Sequence, residues 1–387
     1  MKDQTELAAR SDSSFQGRTP SPVKIRERTV ASATGAESRE IDAYLELTVC
    51  DRSVLLTVIY ADLFDFPLTR DEVFDRLIGQ GFRLHELSAS LERLQKTYLS
   101  CEDGHIFLQG RGRLVGLREG RRQRADELWN EAIRYARWLA RVPFIRMVAV
   151  SGSLAVDNSN GSSDVDLFCV TEARRLWFAR LFIVPLSKLT RLLPSVFPLY
   201  LCPNYVLSLT ALRIEDRNLF TAHEVLQAVP LFGRDVCMEF VQQNEWALGL
   251  LPNLHSTSRH PSRCELVKPY STRRLERIFG GRAGNVLNDI AYRTFTGFYR
   301  WRARRNGWDW TRLEPAYQLE RYTVPEGGYV SVIAGLFRSR VQEVMNESLA
   351  TAEIDRLFPN RHHPFPVCYD WETLFHTEYG AGIPGAS

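Results

Sequence analysis

The sequence predicts an α+β protein, built from a mixed sheet with helices and flanked by helical segments. Two apolar runs rich in β-branched residues lie on either side of a polar loop between Met147 and Val170, which is the pattern of two buried strands. Apolar residues recur at helical spacing between Leu55 and Leu94, and helical spacing returns from Asp235 onward. A length of 387 residues with 44% hydrophobic residues is sufficient for a large core and for two or three domains.

Residues 42–110 predict three helices followed by a β-hairpin. A first helix contains Leu55, a second begins at the N-cap Thr69 with Glu72 as its capping-box partner, and a third begins at about Leu84. The hairpin spans residues 98–108 and turns at Glu102-Asp103-Gly104. This order resembles a winged helix-turn-helix, a module that binds DNA or contacts proteins.

The charge of the third helix argues against DNA binding by this module. It carries Glu86 and Glu92, and negative charge opposes an approach to phosphates. A net charge of +3 is also small for a protein that binds nucleic acid without sequence preference. We therefore expect a structural or protein-contacting module, with DNA binding as the alternative.

Composition suggests the other domain boundaries. Residues 1–40 are polar and contain few large apolar residues, so they predict a disordered tail. Residues 111–235 would form the central domain, which opens on a basic run interpreted as a solvated linker and helix start and continues with a helix from about Ala125 to Arg141. Residues 236–387 would form a helical C-terminal domain, with a long helix from about Ser271 to Arg305 that breaks at Gly280-Gly281.

Cysteine usage and hydropathy indicate the cellular setting. The seven cysteines are scattered and form no C-x-x-C pair, which favours a reducing cytosol over disulfides or a zinc site. The N-terminus lacks the apolar stretch of a signal peptide. The longest uncharged run, Leu192 to Leu212, contains three prolines and predicts buried loop and strand. We therefore expect a cytoplasmic protein without a membrane partner.

The candidate chemistry lies between the two predicted central strands. Gly152-Ser153 follows the first strand, and Asp164-Val165-Asp166-Leu167 begins the second after a gap of ten residues. Residues two apart on a strand share a face, so Asp164 and Asp166 project together while Val165 and Leu167 enter the core. Two adjacent carboxylates repel unless a cation lies between them, and hard oxygen ligands suit Mg²⁺. We predict that Asp164 and Asp166 bind Mg²⁺.

The Gly-Ser pair predicts a phosphate site. Gly152 would let a phosphate approach the backbone, and Ser153 offers a hydroxyl and an amide donor. A helix starting there would add its N-terminal amides. Arg174, which precedes Arg175 after the second strand, could hold a triphosphate, although a solvated helix start is the alternative.

These residues resemble the signature of the nucleotidyltransferase superfamily typified by DNA polymerase β: apolar-Gly-Ser, a gap of about ten residues, then Asp-apolar-Asp-apolar. From residue 50 to residue 255 the chain also looks like an uncharacterised group of bacterial nucleotidyltransferase-domain proteins with an N-terminal winged helix. The resemblance implies a nucleotidyltransferase-fold mixed sheet, Mg²⁺ as cofactor and a nucleoside triphosphate as substrate.

The resemblance also implies a third carboxylate on a later strand of the same sheet, which helps to bind the metal and accepts the proton of the attacking hydroxyl. The expected strand, 204–209, contains no acid; its polar residues are Asn204 and Ser208. The nearest acids follow it, and among them we assign Asp216 as the third catalytic residue. Glu224, beside His223 on the next predicted helix, is a further candidate, and Thr221 would be the N-cap of that helix.

The implied function is transfer of a nucleoside monophosphate to an unknown hydroxyl acceptor, which could be a small molecule, a protein or an RNA. Because the third carboxylate is not evident, two alternatives stay open. One is a catalytically impaired scaffold or regulator that contacts a protein through the winged helix. The other is a DNA-binding regulator.

Overall fold

The structure is a computed structural model, and it describes residues 47–159, 165–193, 196–197, 200–254, 270–323, 329–345 and 350–359. The predicted disordered tail, residues 1–40, lies outside these ranges. Asp164 lies outside them as well, so its position beside Asp166 stays a prediction.

The predicted helices and hairpin of the N-terminal module are present. The elements are α1 (Val49–Asp62), β1 (Leu68–Thr69), α2 (Arg70–Asp75), α3 (Leu84–Leu94), β2 (Leu99–Glu102) and β3 (His105–Leu108). The three short strands form an antiparallel sheet in the order β1-β3-β2. The predicted capping box is confirmed, because Glu72 N donates to Thr69 Oγ1 at 3.3 Å and Thr69 N donates to Glu72 Oε2 at 3.0 Å.

Helix α4 (Arg113–Leu139) begins about a dozen residues earlier than the sequence predicts. The basic run starts the helix, as predicted, but it is not a solvated linker, since Arg111, Arg118 and Arg121 pair with carboxylates of the N-terminal module. Arg111 Nε lies 2.8 Å from Asp62 Oδ1, and Arg118 Nη1 lies 2.7 Å from Glu72 Oε2. Burial raises the pKa of Glu72, but Arg118 and Arg76 outweigh that effect and lower it to about 2.

The central segment alternates strands and helices. Its elements are β4 (Ile145–Val150), α5 (Gly152–Ala155), β5 (Val165–Thr171), α6 (Leu176–Leu192), β6 (Leu201–Ser208), α7 (Leu219–Gln227) and β7 (Val229–Phe232). Both strands predicted around the Gly-Ser and Asp-x-Asp motifs are therefore present, which confirms the α+β class.

The C-terminal third is mostly helical. It contains α8 (Arg234–Gln243), α9 (Tyr270–Phe279), α10 (Arg282–Arg305), α11 (Trp310–Leu313), β8 (Arg321–Thr323), α12 (Tyr329–Met345) and α13 (Ala350–Leu357). The predicted break of the long helix at Gly280-Gly281 is confirmed. Strand β8 was not predicted; it pairs with β6 and becomes an edge strand of the central sheet.

The central sheet has the order β7-β4-β5-β6-β8. Strands β5 and β6 are parallel, with Asp166 beside Cys202, and β4 runs antiparallel to β5, with Val150 beside Leu167. The end of β4 and the starts of β5 and β6 therefore lie side by side where these strands end. We call this end of the sheet, which is not an edge strand, the site edge. The ends of β5 and β6, at Thr171 and Ser208, form the opposite edge.

Side chains of the sheet alternate between two hydrophobic clusters, as period-two strands require. Met147, Ala149 and Phe168 pack in a cluster that also contains residues of α1, α7 and α12. Val148, Val150 and Leu167 pack with residues of α4 and α6. The first cluster runs from the N-terminal module to the sheet, so the described residues from Leu47 onward belong to one compact unit.

The uncharged run between Leu192 and Leu212 supplies the last residue of α6 and the whole of β6. Among the described residues, no helix is both long and apolar enough to span a membrane.

Candidate functional site

The Gly-Ser turn after β4 lies directly against Asp166. Gly152 has a φ of +65°, and a Cβ atom there would lie 2.5 Å from Asp166 Oδ2. Ser151 N also donates to the backbone oxygen of Asp166 at 3.0 Å. Gly152 is therefore required both by its left-handed backbone and by the closeness of the carboxylate. The structure brings Gly152 and Asp166 together at the site edge.

Asn204 holds the Asp166 carboxylate from the neighbouring strand. Its Nδ2 donates to Asp166 Oδ1 at 2.7 Å, and the Cys202 thiol donates to Asn204 Oδ1 at 3.0 Å. An amide thus lies on the strand where the resemblance implies a third carboxylate. It orients Asp166 but adds no negative charge.

Glu224 reaches the same turn from helix α7. The helix begins at the opposite edge and ends before β7, whose Val229 pairs with Val150 at the site edge. The backbone amide of Gly152 lies close enough to the Glu224 carboxyl to lower its pKa. The Ser151 hydroxyl also lies close enough to lower the pKa of that carboxyl, although it forms no hydrogen bond with it. Asp166 and Glu224 therefore both contact the Gly152 turn.

The environment of Glu224 favours its protonated form. Burial raises its pKa from an ordinary value of 4.5 to about 7, and the contacts with Ser151 and Gly152 offset only part of that effect. A carboxyl with a pKa near neutrality can accept and release a proton at physiological pH.

His223, the neighbour of Glu224, belongs to the core. Its ring stacks on Tyr60 with the centroids 4.6 Å apart, and its Nδ1 lies 2.9 Å from the Leu219 carbonyl oxygen. Burial lowers its pKa to about 3, so it is neutral. Of the His-Glu pair, only the glutamate faces the site.

The N-cap of α7 is Asn218, whose Oδ1 accepts from Thr221 N at 2.9 Å. The interpretation of Thr221 as the N-cap was wrong, because Thr221 lies inside the first turn. The cap fixes the residue at which α7 begins and therefore which of its residues, among them Glu224, lie on the side of Gly152.

Ser153 lies at the start of the four-residue helix α5. Its hydroxyl is 3.3 Å from the hydroxyl of Ser159. Asn158 anchors this loop to the N-terminal module, since its Nδ2 donates to the Phe64 carbonyl oxygen at 3.0 Å and its Oδ1 accepts from Arg121 at 3.1 Å. The loop that follows the predicted phosphate site is therefore attached to α1 and α4.

Two of the sequence-predicted site residues lie at the opposite edge. Arg174 follows the end of β5, where its guanidinium lies 3.2 Å from Asp289 and its backbone amide donates to Glu320. Asp216 follows the end of β6. At about 3.3 Å per residue, the length of β5 alone separates this edge from Asp166 by roughly 16 Å. The structure does not bring Arg174 or Asp216 to Asp166.

Among the described residues, no group of three or more His, Cys, Asp or Glu side chains is arranged to hold a metal ion. Asp164, the second predicted ligand, is outside those residues.

Sequence reasoning did not single out two residues of the candidate site. They are Ser151, beside Glu224, and Asn204 as the hydrogen-bond donor to Asp166. The only signal for either was its place next to a motif.

We expect the stability of the protein to depend on pH through Glu224. A carboxyl with a pKa of about 7 when folded and about 4.5 when unfolded stabilises the fold below pH 4.5, and this contribution is lost as the pH rises through 7. The difference corresponds to at most about 3 kcal/mol. Urea unfolding without divalent cations should show wild type losing this amount between pH 5 and pH 8 relative to Glu224→Gln.

The control is Glu215→Gln, because Glu215 is an exposed acid at the opposite edge. Its unfolding free energy should follow that of wild type at every pH. Parallel pH profiles for wild type and Glu224→Gln would contradict the assignment.

Comparison of the chain with protein-family models found no match, and searches of curated proteins and of solved structures found none either. Its function must therefore be inferred from its own residues.

Proposed function

We propose that the site edge catalyses nucleotidyl transfer from a nucleoside triphosphate to a hydroxyl acceptor. The observation that carries the proposal is the contact of Asp166 with the Gly-Ser turn, where a Cβ on Gly152 would lie 2.5 Å from the carboxylate. This contact puts negative charge beside the Gly-Ser turn, where a metal ion could join the carboxylate to a phosphate. A half-buried carboxyl on α7 lies against the same turn, and this supports a site with two acids in addition to Asp164.

The donor set fits Mg²⁺. Asp166 offers hard carboxylate oxygen, and Asp164, which lies outside the described residues, is the second carboxylate that the sequence predicts on the same face. Bound there, Mg²⁺ would neutralise triphosphate charge and lower the pKa of the acceptor hydroxyl. Asn204 is the positioning residue, because its bond to Oδ1 leaves Oδ2 towards the turn.

Glu224 takes the place of the third carboxylate in this proposal. The acceptor oxygen attacks the α-phosphorus, the bond from the α-phosphorus to the bridging oxygen breaks, and pyrophosphate leaves. The proton of the acceptor hydroxyl passes to the carboxylate of Glu224. Its pKa of about 7 suits a base that must be ionised before attack and protonated after it.

The phosphate contacts divide between the two residues of the turn. Because the Gly152 amide lies close to the Glu224 carboxyl, we assign the β- and γ-phosphates to Ser153, through its hydroxyl and its amide. This differs from the expectation that both residues cradle phosphate. Arg174 has no part in the proposed contacts.

The test is pyrophosphate release with Mg²⁺ over a panel of nucleoside triphosphates and of alcohol, peptide and RNA acceptors. We expect turnover by wild type, a roughly 10²–10⁴-fold loss in Glu224→Gln, and no loss in the matched control Asp216→Asn. Loss in Asp216→Asn alone would show that Asp216 is the third acid. Absence of turnover on the whole panel, with nucleotide still bound, would favour the catalytically impaired alternative.

A further inference from the structure

Helix α6 exposes an apolar stripe. Leu181, Phe182, Leu189 and Leu192 recur at helical spacing and are all exposed to solvent, Leu192 by 75%. Apolar side chains at this spacing ordinarily face a core. A stripe of them on the surface indicates a face that is covered when the protein works.

The stripe continues onto the helices beside it. The ring of Phe178 lies 5.6 Å from that of Phe182 on α6 and 5.4 Å from that of Phe279 on α9. Helix α9 exposes Leu275 and Ile278, the latter by 64%. Helix α10 packs on both α6 and α9 and exposes Val286 and Ile290. We call the surface formed by these residues the α6–α9 face; its members are Leu181, Phe182, Leu189, Leu192, Leu275, Ile278, Val286 and Ile290.

The charges around the α6–α9 face are positive. Lys188, Arg274 and Arg277 are exposed on it. The acids of these helices are bonded elsewhere: Glu276 accepts from Phe144 N at 2.6 Å and pairs with Arg146, and Asp289 pairs with Arg174. Helix α6 contains no acidic residue. The face is therefore apolar and cationic, and its carboxylates are already paired.

We infer that the α6–α9 face docks on an anionic lipid surface. Exposed leucine, isoleucine and phenylalanine flanked by lysine and arginine are the composition of helices that lie in the membrane interface. Single-stranded nucleic acid would need aromatic rings for stacking, whereas most of this face is aliphatic. A symmetric dimer through this face would bring its cations together without opposing carboxylates.

The expectation of no membrane partner rested on hydropathy along the chain, which detects spanning segments. The α6–α9 face is assembled from helices almost 80 residues apart in sequence. Its α6 part ends beside the site edge, because Ser187 Oγ donates to the Leu201 carbonyl oxygen at 2.7 Å and Leu201 N donates to Thr190 Oγ1 at 3.1 Å. Docking would therefore hold the site edge near the lipid, whatever reaction occurs there.

The test is co-sedimentation of the full chain with vesicles of phosphatidylcholine, alone or mixed with phosphatidylglycerol. We expect binding to the mixed vesicles only, and weaker binding at higher salt. Leu192→Ser and Ile278→Ser should each reduce binding by about tenfold, since each removes most of a buried apolar side chain from the interface. Arg274→Gln with Arg277→Gln should reduce it similarly.

The control is Leu84→Ser, which removes an exposed leucine from α3, outside the α6–α9 face, and should bind like wild type. Circular dichroism would verify that each variant is folded. Three outcomes would overturn the inference: no binding to mixed vesicles, equal binding by Ile278→Ser and wild type, or a dimer in light scattering that Leu192→Ser converts to monomer. Binding of single-stranded RNA that competes with vesicles and is lost in Arg274→Gln would assign the face to nucleic acid instead.

Discussion

Asp166→Asn is expected to abolish Mg²⁺-dependent binding of a nucleoside triphosphate. The substitution keeps the size of the side chain, and its Oδ1 can still accept from Asn204 Nδ2, which donates to Asp166 at 2.7 Å in the wild type. It removes the negative charge that lies beside Gly152. Loss of a charged oxygen ligand to a divalent cation costs several kcal/mol, so the dissociation constant should rise at least about 100-fold.

Titration calorimetry with and without Mg²⁺ measures this effect. Glu215→Gln is the control, since it changes charge by the same amount at an exposed residue of the opposite edge. It should bind nucleotide as wild type does. An unchanged affinity in Asp166→Asn would remove the basis of the proposed site, whereas a similar loss in both variants would point to net charge alone.

Gly233→Ala should strongly destabilise the fold. Gly233 precedes α8 with a φ of +75°, and a Cβ there would lie 1.9 Å from the backbone oxygen of Arg146 on β4. Backbone cannot rotate away as a side chain can, so β4 or the start of α8 must move. Overpacking costs about 1–3 kcal/mol and the left-handed conformation about 1–2 kcal/mol, so we expect a total of about 2–5 kcal/mol in urea unfolding.

Gly79→Ala separates the two contributions. Gly79 has a φ of +92°, but a Cβ there would meet nothing within 4 Å. It should therefore cost only the conformational part, about 1–2 kcal/mol. Equal unfolding free energies for the two variants would contradict the prediction, because they would show that the contact of the new Cβ with the Arg146 oxygen costs nothing.

The sequence by itself determined the features that depend on neighbouring residues. The capping box of Thr69 and Glu72, the break at Gly280-Gly281 and the strands around the Asp-x-Asp motif were all predicted correctly. Each depends on contacts within a few residues or on a period of two or 3.6 residues. The same local reasoning showed that strand β6 carries no acid.

Only the tertiary structure decided which distant residues meet. Asp216 is closer than Glu224 to β6 in sequence, yet the parallel pairing of β5 and β6 places it at the opposite edge while α7 carries Glu224 back to Gly152. The start of α4 was misjudged because its arginines are neutralised by carboxylates some 45 to 50 residues away. Strand pairing and ion pairing join residues that are remote along the chain. Because such contacts leave no periodic signal in the sequence, they become visible only when the strands and helices are packed together.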